Sequence, residues 1–151
     1  MSREPLRLTL REIGNTDFFK NSKMPKDVGS INELDENQFR KGVMNCIFSG
    51  RKSIPSDLVN RPVEWFDGYV SSYAIEDEKI KGLFLVRKNE AEELELILLE
   101  YIGKDSSRQM ISMLRDAFRT AFCLYPDSTV VVIPRNTPEA EGLSGKLFPG
   151  K

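Results

Sequence analysis

The chain has 151 residues, 40% apolar and 30% charged, which fits one globular domain. A domain of this size buries roughly 70% of its unfolded surface without disulfide or metal staples. Its 22 Lys and Arg against 23 Asp and Glu leave a net charge of -1, so no basic excess draws it to nucleic acid or to an anionic membrane. The absence of histidine excludes Ser-His-Asp and Cys-His nucleophiles and every His metal site.

No stretch approaches the roughly 20 apolar residues of a membrane-spanning helix. The N-terminus, MSREPLRLTL, lacks the apolar core of a secretory signal, so the expected location is the cytoplasm. The two cysteines, Cys46 and Cys123, lie far apart and among apolar neighbours, and are expected as small buried hydrophobes. No P-loop and no dinucleotide Gly-rich turn is present, and no metal is expected. Chemistry is left to carboxylates, Tyr, Ser/Thr, Lys/Arg and backbone amides.

Leu6-Arg7-Leu8-Thr9-Leu10 alternates apolar and polar residues and predicts a half-buried strand. Asn15-Thr16-Asp17 could cap a short helix containing Phe18 and Phe19, in a region broken by Pro25 and Gly29. Asp35 reads as a helix N-cap, with Gln38 completing a capping box. Phe39, Val43, Cys46 and Ile47 follow at helical spacing up to Gly50. From Ser53 to Gly68, Pro55 and Pro62 predict an irregular connection that could hold one helical turn, anchored by Asp57-Leu58-Val59 and by Trp65 and Phe66.

Three strands are expected next: Tyr69 to Ile75, Ile80 to Arg87 and Leu94 to Ile102. The polar turns between them are short, which requires an antiparallel meander. The Glu-rich turn at Glu90 to Glu93 reads as solvated. The third strand becomes a nearly continuous apolar run and predicts helices on both faces of the sheet. Ser106 with Gln109 starts the best helix, whose stripe is Met110, Leu114, Ala117, Phe118, Ala121 and Leu124. Thr129 to Ile133 is a β-branched strand, and a strand-helix-strand crossover makes it parallel to Leu94–Ile102. Thr137-Pro138-Glu139 opens a last helix. The fold class is α/β, in the sense of a mixed α+β sheet within a single domain.

From about Tyr69 to Gly150 this pattern resembles the GNAT acyltransferase superfamily. The most specific piece runs from Asn136 to Gly150, where Asn136, Ala140, Leu143 and Lys146 fall in register with the family's late motif. The resemblance implies a GNAT-like fold whose sheet splays between Leu94–Ile102 and Thr129–Ile133. It implies acetyl-CoA as co-substrate, with the pantetheine arm on backbone groups of Leu99 to Ile102, and Asn136 as part of the cofactor-binding set. The pyrophosphate would rest on amides near Ser106, Ser107 and Arg108, a helix N-terminus being an anion site.

The family's glycine-rich loop is broken here. One register keeps Gly103 beside Lys104 but puts Asp105 at the next glycine, and the other places Asp105, Arg108 and Met110 at the motif positions. Lys104 or Arg108 would then supply a side-chain cation. Ser144 stands where many members carry the tyrosine acid, and a hydroxyl is a far weaker acid than a phenol. Glu100 is the candidate base with Glu95 second, although outward alternation on a strand is the plainer reading of both. Tyr101 and Tyr73 are substitute acids.

The implied function is acyl-CoA binding, with acetyl transfer from acetyl-CoA to an amine whose identity stays open. The alternative is a catalytically inactive GNAT-like interaction module. The chain stops where the family continues into further strands, which leaves an edge that another chain or the N-terminal strand would fill. A bare edge favours a homodimer.

Overall fold

The computed structural model describes residues 3–16, 27–48, 61–104 and 106–135, together with Gly142 and Gly145, both helical in backbone. In chain order these residues form β1 (Arg3–Thr9), α1 (Leu10–Gly14), β2 (Val28–Ser30), α2 (Glu36–Phe48), β3 (Ser72–Glu76), β4 (Lys79–Lys88), β5 (Leu94–Tyr101), α3 (Ser106–Leu124) and β6 (Val130–Arg135). Single 3-10 turns sit at Ile31–Glu33 and Val63–Trp65, the latter within the described part of the connection from Ser53 to Gly68. The expected helix around Phe18 and Phe19, Gly50, Pro55 and most of the last helix lie outside the described residues. No described helix is long and apolar enough to cross a membrane.

All strands join one mixed α/β sheet in the order β1-β6-β5-β4-β3-β2. The meander β3-β4-β5 is antiparallel and the β5–β6 pair is parallel, as the short turns and the crossover helix require. Among the described residues, helices cover both faces of the sheet. Phe84, Val86, Leu94, Leu96, Leu99 and Tyr101 meet α3 through Leu114, Ala117, Phe118 and Ala121. Leu83, Leu85 and Leu98 meet α2 through Phe39, Val43 and Cys46. The apolar run in β5 is thus covered on both sides, and each fully buried aliphatic or aromatic side chain contributes about 1.5–3 kcal/mol.

Several boundaries move for identifiable reasons. Leu10 is not a strand residue: it begins α1, because the Thr9 side chain accepts the Glu12 N–H while Glu12 caps the Thr9 N–H, a capping box that the alternating pattern hides. β3 starts at Ser72 rather than Tyr69, since Asp67 Oδ1 accepts the N–H groups of both Tyr69 and Val70 and holds a turn there. Tyr69 is accordingly 57% exposed. The expected box at Asp35 and Gln38 forms in both directions, at 3.0 and 2.8 Å. α3 includes Ser106 as its first residue, so Ser106 is not the cap.

On α3 the buried stripe includes Met113, which the pattern left out, whereas Leu124 at the helix end is 54% exposed. Cys46 is buried as expected, but Cys123 is exposed, on the helix face turned from the sheet. The Glu-rich turn is organised by Asn89, whose Oδ1 accepts the N–H groups of Ala91 and Glu93.

The N-terminal strand settles what fills the free edge. β1 pairs antiparallel with β6 from Thr9↔Val130 to Arg3↔Arg135, so the edge reason for a homodimer is removed. The new outer edge carries Pro5 and Arg7, residues that discourage further strand pairing.

Candidate functional site

The parallel strands β5 and β6 pair at Leu94↔Val131 and Glu95↔Val132, at their amino ends. Two features of the sequence work against pairing beyond that point. Opposite β4 the register passes from Val86↔Leu96 to Leu85↔Leu98, so Ile97 is an extra residue that bends β5. In β6, Pro134 has no N–H to donate to a ladder. From Leu96 onward β5 has no β6 partner in the register, and the place where this two-pair ladder ends is here termed the fork.

Beyond the fork, Ile102 donates its N–H to Lys81 O at 2.8 Å and keeps the chain on the β4 side. Gly103 then passes tightly over Tyr101: a Cβ there would lie 2.6 Å from the phenol oxygen and 2.7 Å from the ring, and would run into the Glu76 carboxylate. Lys104 follows, and its N–H is held by both Glu76 oxygens at 3.2 Å. α3 starts two residues later, so Ser106 and Ser107 occupy the first turn, whose amides have no intrahelical acceptor. Lys104 and Arg108 are both exposed at this helix start. Asn136 and Ser144 lie outside the described residues.

The strand geometry separates the two candidate catalytic side chains. Glu100 and Tyr101 are consecutive in β5, so they point to opposite faces. Tyr101 is 1% exposed and belongs to the cluster under α3, its ring lying 2.5 Å from where a Cβ at Gly82 would stand. Glu100 is also 1% exposed, which corrects the outward alternation expected of it. It faces the α2 side, where burial first and the Glu100 charge second push the Cys46 thiol up to about 12. The Ile97 bulge shifts the alternation and moves Glu100 from the α3 face to the α2 face, and it is buried because the sheet is covered on both sides. Glu95, before the bulge, is half-buried and accepts from the Asn89 side chain at 3.3 Å. Tyr73 donates to Glu33 on the far side of the sheet, away from the fork, and burial followed by that carboxylate raises its phenol above the usual range.

The sequence did not flag Glu76. It reads as a turn residue, and only the hairpin geometry carries its carboxylate across to Lys104. That hairpin closes through Asp77 and Glu78, both at positive φ (55° and 65°), as a two-residue turn matching the sheet twist requires. Leu99 contributes backbone at the fork while its side chain is buried under α3. Among the described residues no group of three or more His, Cys, Asp or Glu could hold a metal ion. No family model and no curated protein matches this chain.

Proposed function

We propose that the chain binds acyl-CoA in the β5–β6 fork, and that acetyl transfer from acetyl-CoA to an amine is the reaction this binding serves. The observation that carries the reading is the fork itself. After two paired positions β5 has no β6 partner, and an extended pantetheine amide could pair there as a strand would. The Ile102 N–H already goes to Lys81 O, and the Tyr101 N–H to Glu100 Oε1 at 3.1 Å, a bond the arm would have to displace. The residues fit that part of the cofactor. The pyrophosphate end fits only if Glu76 turns away from Lys104, after which the Lys104, Ser106 and Ser107 amides and the Lys104 and Arg108 side chains would face the phosphates.

In the transfer the amine nitrogen attacks the thioester carbonyl, the C–N bond forms and the C–S bond breaks. The amine proton goes to a base and the thiolate is protonated as it leaves. Glu100 is the carboxylate nearest the end of the fork strand and would have to be uncovered from beneath α2 to take that proton. Rate would come chiefly from positioning the two reactants.

A second reading, a GNAT-like module without catalysis, is favoured by a different observation: Glu100 and Tyr101 are buried on opposite faces and cannot meet one reacting atom. Titration with acetyl-CoA separates these readings from each other and from a third outcome. Saturation at a hundredfold above Kd stabilises the fold by about 2.7 kcal/mol, a Tm rise of about 5–10 °C for a domain of this size. A rise with CoA release in the presence of amines supports transfer, and a rise without release supports the binding module. No rise at millimolar acetyl-CoA removes the proposal.

A further inference from the structure

A groove of about 760 Å3 lies away from the fork, between α2 and the β3–β4 hairpin. Its inner end is set by a close helix-strand approach, since a Cβ at Gly42 would stand 2.9 Å from Ile80 Cγ2. The walls are aliphatic, from Leu34, Met44, Ile75 and Ile80, and Ile75 is 37% exposed there. Its size falls within the roughly 300–1,000 Å3 of small-molecule sites.

The charge on the rim is mostly positive. Arg40, Lys41 and Lys79 line the groove against the single carboxylate of Glu78, in a chain whose overall charge is -1. Arg40 is engaged by Glu36 at 3.8 Å. Lys41 and Lys79 are exposed, and among the described residues neither makes an ion pair. An apolar cleft edged by two ammonium groups outside any ion pair of the described residues is complementary to a molecule with an aliphatic body and one anionic end.

We propose that this groove binds a small amphipathic carboxylate, its aliphatic chain on Leu34, Ile75 and Ile80 and its carboxylate at the Lys41 and Lys79 rim. The groove shares no lining residue with the fork and stands or falls separately from acyl-CoA binding. The cations supply charge-assisted hydrogen bonds to the head group, and the apolar floor supplies the affinity that an exposed ion pair lacks.

The test uses sodium decanoate below its micelle concentration, with acetate and decyltrimethylammonium as controls, followed by calorimetry and by backbone amide NMR. Decanoate is expected to bind saturably, at least about tenfold more tightly than either control, because each control lacks one of the two recognised parts. Its chemical-shift changes are expected at Leu34 to Asn45 and Ile75 to Ile80. The surface double variant K41E/K79E is expected to weaken decanoate by at least about tenfold. Equal binding of decanoate and decyltrimethylammonium, unchanged affinity in the double variant, or shift changes centred elsewhere would each overturn the assignment.

Discussion

Replacing Glu76 by Gln probes the fork site most directly. The Glu76 carboxylate holds the Lys104 N–H through both oxygens at 3.2 Å, on the amide where a pyrophosphate would have to sit. Two unit charges 4 Å apart interact by about 4 kcal/mol at an effective dielectric of 20 and by about 1 kcal/mol in bulk water. Glu76 is half-buried at the protein surface, so the lower end applies, about 1 kcal/mol for each of two phosphate charges. Removing the carboxylate charge should therefore tighten acetyl-CoA by about 2 kcal/mol, roughly thirtyfold in Kd.

Gln keeps a carbonyl oxygen to accept the Lys104 N–H, so the stability loss should stay below about 1 kcal/mol, or about 2–4 °C in Tm. Calorimetric titration of both proteins with acetyl-CoA measures the ratio. Affinity in Glu76→Gln equal to or weaker than that of the wild type would show that the phosphates do not approach the start of α3, and the placement of the cofactor would fail.

Gly82→Ala should destabilise by about 1–3 kcal/mol, because the added Cβ would lie 2.5 Å from the Tyr101 ring and 3.0 Å from Met113 Cε. Gly14→Ala, whose Cβ would meet Phe122 at an ordinary 3.6 Å, should leave Tm unchanged or raise it; equal losses for the two would refute the packing account. A thiol reagent should titrate one cysteine in the native chain, the exposed Cys123, and a second only on denaturation, since burial and Glu100 keep Cys46 protonated up to about 12. Two fast native thiols would contradict this.

Asp116 carries the pH prediction. Burial first and Glu33 second raise its carboxyl above the ordinary 3.8, with Arg119 opposing, so the folded state holds a proton that the unfolded chain releases. The stabilising share of this group is complete below the ordinary value and is lost as pH rises through the raised one. Asp116→Asn should therefore gain on the wild type progressively as pH is raised above about 4 in chemical denaturation. A constant difference across pH would refute it.

The capping box at Asp35 and Gln38, the meander, the two-sided covering of β5 and the parallel crossover were all readable, because each depends on residues close in sequence and on the period of the apolar pattern. Hidden from that pattern was the box at Thr9 and Glu12, masked by an alternation that continues one residue too far. Leu124 was misread for a related reason: helical phase says which face a residue shares, but not whether the sheet extends far enough to cover it.

The candidate site was legible in part. Residues Leu99 to Lys104 could be named from the family resemblance, but the geometry around them could not. One bulged residue, Ile97, reverses which face Glu100 and Tyr101 occupy, and periodicity of two cannot predict where a ladder slips. Local sequence therefore determined which segments became helix and strand and which sides were apolar, since those choices rest on backbone propensity and short-range patterning. Tertiary structure alone placed β1 on the far edge against β6, brought Glu76 onto Lys104 and buried Glu100 beside Cys46. These are contacts between residues distant in the chain, and their energy exists only once the sheet has assembled.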